Sequence, residues 1–314
     1  MRVAVLGAGA VGCYFGGMLA RAGHAVALIG RPAHVDAIRA DGLRLEARAF
    51  DERIAVEAST APQAVRGAEL VLFCVKSMAS EEAASEMAPF LEPGALVLNL
   101  QNGVDNAERI QSRIRQPVIP AVVYVATEMA GPGHVKHHGR GDLVIGPLDP
   151  SLPRAALERI QQVFEAAGVP VALSENVLGE LWAKLVVNCA YNALSAITQL
   201  PYGAMIQGAG IREVMRDVVE EALAVAKAGG VRMAADMLAR TYAIAEAMPA
   251  QYSSTAQDLA RGKPTEIDHL NGYLVRRGEA LGVPTPVNRV LHALVQLLER
   301  KADGKRVLTP FPRS

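Results

Sequence analysis

From Trp182 onward the chain reads Trp182-Ala183-Lys184-Leu185-Val186-Val187-Asn188-Cys189-Ala190-Tyr191-Asn192. A lysine and two asparagines recur every fourth residue, the spacing that puts Lys184, Asn188 and Asn192 on one face of a helix. Their neighbours are apolar, so three polar side chains would share a buried stripe, each costly unless it meets something polar. A small molecule with a carboxylate and a carbonyl would satisfy all three. The same spacing also fits a lysine emerging at a helix end beside two asparagines bonded to backbone.

A second constellation is Gly7-Ala8-Gly9-Ala10-Val11-Gly12, a G-x-G-x-x-G run that follows an apolar stretch and opens a segment of small residues. In that context a strand passes through a tight turn into a helix whose free N–H groups and dipole hold a pyrophosphate. The motif points to a dinucleotide. The end of the next apolar run selects which one, because an acid there bonds ribose hydroxyls whereas a base neutralises a 2′-phosphate. Here the chain reads Ile29-Gly30-Arg31 with no acid close behind. Arg31 therefore favours NADP(H) over NAD(H), the alternative being a solvated surface arginine.

Two further segments follow apolar runs in the same way. Lys76 stands where a parallel sheet delivers side chains to a cofactor, and can meet a phosphate, a ribose or only solvent. Gln101-Asn102-Gly103 offers uncharged amides to the nicotinamide region or to a substrate oxygen, and also suits a helix N-cap. Reduction of a ketone by NADPH needs a hydride at carbon and a proton at the developing alkoxide. Lys184 is the candidate donor.

A carboxylate beside it would keep it charged. Glu266 is the candidate, in Lys263-Pro264-Thr265-Glu266-Ile267-Asp268-His269-Leu270-Asn271-Gly272, where Thr265 and Asp268 have the spacing of a capping box. That box would put Glu266 on the first turn of a helix, where an acid can also serve only the dipole. Ser253-Ser254-Thr255-Ala256-Gln257-Asp258 offers hydroxyls and an amide at another helix start. The run His134-Val135-Lys136-His137-His138 brings no acidic or cysteine ligand, so it reads as a polar hairpin edge and no metal site is expected.

The elements that must position these groups fall into two halves. Strands are expected at 3–6, 25–29, 70–75, 96–100 and 118–125, separated by helical stretches in the manner of a parallel sheet. Segments 43–49 and 53–57 alternate as an edge hairpin, and 134–145 looks similar, with Gly139 and Gly141 at its turn. From about Ser174 helices follow at 176–196, 211–229, 234–248, 254–261, 265–281 and 288–301, punctuated by glycine and proline. The reading is an α/β Rossmann-type dinucleotide-binding domain over 1–173 and an all-α substrate domain over 174–314. Ligands of open α/β sheets bind beyond the carboxyl ends of the strands, which puts the expected site in a cleft between the halves.

Composition sets the outer limits. With 32 basic and 32 acidic residues among 314, the chain lacks the basic field of a nucleic-acid binder. Three cysteines without a C-x-x-C pair fit neither a disulfide framework nor a zinc ribbon, and suit a reducing cytoplasm. The uncharged stretches 3–20 and 185–211 carry too many glycines or polar residues for membrane spans, so no membrane partner is expected. A helical half of this kind serves a monomer or a homodimer equally.

These motifs together resemble the ketopantoate reductase (2-dehydropantoate 2-reductase) family over nearly the whole chain. The likeness is carried by 7–12, Arg31, Cys74-Val75-Lys76-Ser77, Gln101-Asn102-Gly103, 182–192, 253–258 and 265–272. It implies NADPH-dependent reduction of 2-dehydropantoate to (R)-pantoate, toward coenzyme A, with Lys184 as proton donor. Asn188, Asn192 and Ser254 would bind substrate, Asn102 would lie near both ligands, Glu266 would reach the nicotinamide side and the substrate, and Ala126 would lie beside the cofactor. The chain departs from the family at Leu200-Pro201-Tyr202-Gly203, where asparagine often precedes the glycine, and at Thr255. Those departures bear on the substrate more than on the chemistry, so reduction of another branched 2-oxo acid is the alternative. A non-catalytic NADPH sensor would have no need of Lys184 and Glu266.

Overall fold

The computed structural model describes residues 1–302, in two compact units, Met1–Leu178 and a second that begins at Gly179. The first opens with β1 (Arg2–Leu6), α1 (Ala10–Arg21), β2 (Ala25–Ile29), α2 (Pro32–Asp41), β3 (Leu43–Glu46), β4 (Asp51–Ile54) and β5 (Glu57–Ser59). It continues with β6 (Leu70–Phe73), α3 (Ser80–Met87), β7 (Leu96–Asn99), α4 (Asn106–Gln111), β8 (Val118–Gly131), β9 (His134–Ile145), α5 (Arg154–Ala166) and β10 (Val171–Leu173). One sheet holds all ten strands in the order β4-β3-β9-β8-β7-β6-β1-β2-β5, with β10 beside β9.

From β5 through β8 every neighbouring pair is parallel. Such strands are covered on both faces, which is why β1 and β6 are continuous apolar runs rather than alternations. Val3 and Val5 join the core that holds Phe15 of α1 and Phe164 of α5, whereas Ala4 and Leu6 join the one that holds Ala84 and Met87 of α3 and Ile110 of α4. Phe15 and Phe164 meet edge to face at 6.1 Å. The alternation along a single strand thus feeds two cores.

The expected edge hairpin is β3–β4, paired from Leu43↔Ile54 to Glu46↔Asp51. Segment 134–145 differs from expectation. It is the single strand β9, antiparallel to β8 and parallel to β3 and β10. Gly139 (φ +155°) and Gly141 (φ +138°) do not turn the chain; they flank Arg140 (φ +56°) where the β8–β9 register shifts. Gly141 leaves room for Tyr14, whose hydroxyl would lie 2.4 Å from a Cβ there.

The second unit is helical: α6 (Val177–Thr198), which starts at the end of the first unit, then α7 (Tyr202–Met205), α8 (Ile211–Ala228), α9 (Met237–Ala247), α10 (Ser254–Ala260), α11 (Asn271–Leu281) and α12 (Pro286–Ala302). Its core includes Val186, Ala190, Tyr191, Met215, Val218, Leu274 and Val295. A buried polar chain fixes four of these helices. Asn271 Nδ2 donates to Cys189 O of α6 and to Asn288 Oδ1, and Asn288 Nδ2 donates to Glu221 of α8. The Glu221 carboxylate also accepts from Val287 N and Asn288 N, capping α12 from outside.

The continuous helix expected over 265–281 is interrupted. A short 3-10 turn at Ile267–His269 ends at Leu270 (φ −111°, ψ −103°) before α11 begins. No capping box forms, because Thr265 Oγ1 accepts from Ile267 N and the Asp268 carboxylate is taken by His292 and Gln296 of α12. Contacts from 24 and 28 residues away override the local motif. Among the described residues no helix is long and apolar enough to cross a membrane.

Candidate active site

At the carboxyl end of β1 the glycine run takes the form its spacing requires. Gly7 (φ +112°) lies so close to the loop after β6 that a Cβ there would be 2.6 Å from the Cys74 carbonyl carbon. A Cβ on Gly12 would fall 2.2 Å from the Gly7 carbonyl oxygen, whereas Gly9 has nothing within 4 Å of that position. The first glycine shapes the turn, the third packs the helix, and the second leaves open space. Gly7 N and Ala8 N both donate to Ile29 O, which ties the loop to β2. Gly9 caps α1, and the N–H groups of Ala10, Val11 and Gly12 in its first turn have no acceptor within the helix. The first turn holds no acid. This cradle fits a pyrophosphate.

Arg31 follows β2, caps α2 and is exposed, with its backbone carbonyl accepting from His34 and Val35. A Cβ on Gly30 would meet Ala8 Cβ at 2.6 Å, so the turn carrying Arg31 lies directly against the glycine run. Lys76, exposed, precedes a 3-10 turn at Ser77–Ala79 after β6. Asn102 is half-buried after β7, next to Gly103 (φ +99°). Gln101 is not available to a ligand in the way its neighbour is: its side chain is buried, and Nε2 donates to Val75 O and Ser80 Oγ. Ala126 is half-buried in β8, opposite Gly139 and beside a register shift. A concavity of about 510 Å³ in this unit is lined by Ile38, Arg39, Gly42 and Glu57 to Ser59, and by none of these groups.

In the second unit α6 carries the expected stripe. Lys184 and Asn188 are half-buried and Asn192 is 3% exposed. Among the described residues no hydrogen bond to the Asn188 or Asn192 side-chain amide is found, although the Asn192 carbonyl accepts from Ser253 Oγ. Ser253 caps α10 by accepting from Ala256 N, and Ser254 next to it is exposed. Glu266 is half-buried at the start of the 3-10 turn. Tyr202 packs against Tyr191 with ring centres 4.4 Å apart and ring planes tilted by 48°, and burial pushes its phenol well above the usual range. It is a donor, not an anion, at any working pH.

The thiols of Cys13, Cys74 and Cys189 are likewise pushed up by burial, that of Cys13 to about 12, so none is a nucleophile. The histidines of 134–138 are used locally. His134 pairs with Glu46, His138 pairs with Glu128, and His137 stacks on Tyr14. Sequence reasoning missed Ser80 and Asn106, which bond to the segments carrying Lys76 and Asn102. Their only signal is a polar side chain at a buried helical position, and the sequence does not show burial.

Comparison with known proteins adds the chemistry. Residues 3–150 match the family model described as ketopantoate reductase PanE/ApbA, and residues 176–299 match its C-terminal counterpart. The 2-dehydropantoate 2-reductase of Pyrococcus horikoshii is 31% identical over 306 residues, 98% of this chain and all of the relative. A PanE/ApbA family ketopantoate reductase from Ralstonia eutropha JMP134 is 62% identical in its crystal structure, with a TM-score of 0.92 over 96% of this chain and all of that one. A D-mandelate dehydrogenase solved with NADH and anilino(oxo)acetate is 25% identical, with a TM-score of 0.90 and the same coverage. With a pyrophosphate cradle in one unit, a lysine–asparagine stripe in the other and both family models matched in order, the chain belongs to the ketopantoate reductase family of oxidoreductases.

Proposed function

We propose that this protein reduces 2-dehydropantoate to (R)-pantoate with NADPH. The observation that carries the reading is the α6 stripe: half-buried Asn188 and buried Asn192, whose amides have no hydrogen-bond partner among the described residues, on the helix that bears Lys184. Buried amides are ordinarily satisfied, so such a pair favours a ligand over a packing role. The family likeness supplies the substrate class, and Arg31 in place of an acid after β2 supplies the cofactor preference.

The first unit takes the dinucleotide on Gly7, Ala8, Gly9, Ala10, Val11 and Gly12, with Arg31 and Lys76 on its phosphates and ribose and Ala126 beside it. Bound NADPH supplies a hydride to the C2 carbonyl carbon. As the carbonyl oxygen gains charge, Lys184 gives it a proton from its ammonium and later regains one from water. Asn188, Asn192 and the Ser254 hydroxyl hold the substrate's oxygens, and Asn102 orients the carbonyl against the nicotinamide. Glu266 keeps Lys184 in its charged form and helps to hold both ligands. The reaction belongs in the cytoplasm, where thiols such as those of Cys13, Cys74 and Cys189 stay reduced.

A specific observation favours a second reading. The tilted Tyr191–Tyr202 pair lies near Ser253 in this unit, through the bond from Tyr202 N to Gln251 O and that from Ser253 N to Ser195 Oγ. Together with the neighbour that binds anilino(oxo)acetate, it suits a 2-oxo acid with a bulkier or flatter side chain. Following NADPH oxidation by the purified protein across aliphatic, branched and aryl 2-oxo acids separates the two. The highest kcat/KM is expected for 2-dehydropantoate. A higher value for an aryl 2-oxo acid would replace it with the second reading, and no turnover of any would overturn both.

A further inference from the structure

The segments after β6 and β7 are laced together by side chains that touch neither proposed ligand. Asn106, at 0% exposure, donates from Nδ2 to Asn102 O (2.6 Å) and Ser77 Oγ (3.1 Å). Its Oδ1 accepts from Arg109 Nη1 (3.0 Å) and lies 3.1 Å from Ser80 Oγ. Ser80 accepts from Gln101 Nε2 (2.9 Å), and Gln101 Nε2 also reaches Val75 O (2.8 Å). The carbonyl before Lys76 is held by Gln101 of the other segment, and the carbonyl of Asn102 by Asn106 of its own segment and by Ser77 Oγ (3.4 Å) of the other. Arg109 pairs with Glu81 of α3 through two bonds and closes the lattice from outside.

This arrangement is not what packing alone would select. Gln101 Oε1 and Asp105 Oδ1, both in this cluster, are buried with no hydrogen-bond partner among the described residues. Buried orphan acceptors are costly, and apolar residues of similar shape would remove that cost. Amides at 101 and 106 instead define one relative placement of two backbones, to within the tolerance of short bonds. What those backbones carry is Lys76 and Asn102.

We infer that Asn106 and Gln101 are positioning residues, which set Asn102 and Lys76 in fixed relation at the carboxyl edge of the sheet and so align the nicotinamide end of the cofactor. The inference rests on the proposed reading that Lys76 and Asn102 face the dinucleotide. It separates the roles of two adjacent amides: Asn102 meets ligand, while Gln101 holds Asn102 in place.

The test uses the full chain and two probes, NADPH and 2′-phospho-ADP-ribose, which lacks the nicotinamide. Asn106→Ala should weaken NADPH about tenfold and lower kcat by about 10–100-fold, as expected when a reacting group is misplaced by a fraction of an ångström to an ångström. Binding of 2′-phospho-ADP-ribose should stay within about twofold of wild type, because the glycine cradle is untouched. Asn106→Asp keeps the acceptor for Arg109 and Ser80 but loses the donor to Asn102 O, so it should behave like alanine in NADPH binding while melting closer to wild type. Should Asn106→Ala fail to fold, Ser80→Ala breaks the link between Gln101 and Asn106, together with the bond from Ser80 Oγ to Ser77 O, and is read the same way. Equal weakening of both probes, or a lowered Tm with neither affinity changed, overturns the inference. A wild-type protein that binds NADPH no better than 2′-phospho-ADP-ribose instead overturns the placement of Asn102, and with it the reading beneath.

Discussion

Gly7 and Cys74 stand backbone to backbone, so close that a single methyl group on Gly7 would lie 2.6 Å from the Cys74 carbonyl carbon and 2.7 Å from the Val75 nitrogen. Gly7 also needs φ +112°, which side chains disfavour. Gly7→Ala should therefore both strain the turn and push β1 from β6. We expect a loss of about 2–3 kcal/mol in stability and of NADPH binding by more than about tenfold. Thermal melting and cofactor titration check it, and an alanine variant with wild-type affinity would contradict the cradle described above.

Arg31→Ala should raise KM for NADPH by about one to two decades and leave KM for NADH nearly unchanged, since only the former carries the phosphate. Arg31 caps α2 without a side-chain bond, so the melting temperature should not move. Equal losses with both cofactors would sink the phosphate assignment.

Removing Lys184 tests the proton donor. A general acid contributes about 10²–10⁴-fold, so Lys184→Ala should lower kcat by that order with NADPH affinity preserved. Lys184→Arg keeps the charge but holds its proton too tightly, and should rescue poorly. A variant with wild-type kcat would move the role to another group.

The Arg109 guanidinium beside Glu81 holds its carboxyl at about 2, below the ordinary 4.5. A carboxylate with a lowered pKa stabilises the folded state above about pH 4.5 and loses that contribution as the pH falls toward about 2. Because Glu81 is 36% exposed, solvent screening limits the effect to about 1 kcal/mol. The acid-side decline in melting temperature should be shallower in Glu81→Gln than in wild type, and identical slopes would show that the pair contributes nothing.

How far the sequence carried this picture depends on the range of the interactions involved. The glycine run, the parallel core strands and the α6 stripe are set by period and by neighbours within a few residues, and they stand where spacing put them. The 265–268 capping box and the 134–145 hairpin do not, because His292 competes for Asp268 and Tyr14 sits against Gly141. Gln101 and Asn102 are adjacent amides that no local pattern distinguishes. Only the partners Val75, Ser80 and Asn106, from other elements, decide which one faces inward.

The outermost strands of the sheet, β4 and β5, lie at opposite ends of its order yet are joined by only Ala55 and Val56. The three Cα–Cα steps from Ile54 to Glu57 span at most about 11 Å, so the sheet must bend until its ends come near each other. During synthesis the β3–β4 hairpin can form at once, but β3 finds its second partner only when His134–Lys136 have emerged, some 90 residues later. Pairing of that kind is a non-local, late event. A circularly permuted chain opened between Ala55 and Val56 would place β1–β4 after all their partners in β5–β9 and lengthen those separations, so its refolding should be slower than that of the natural connectivity.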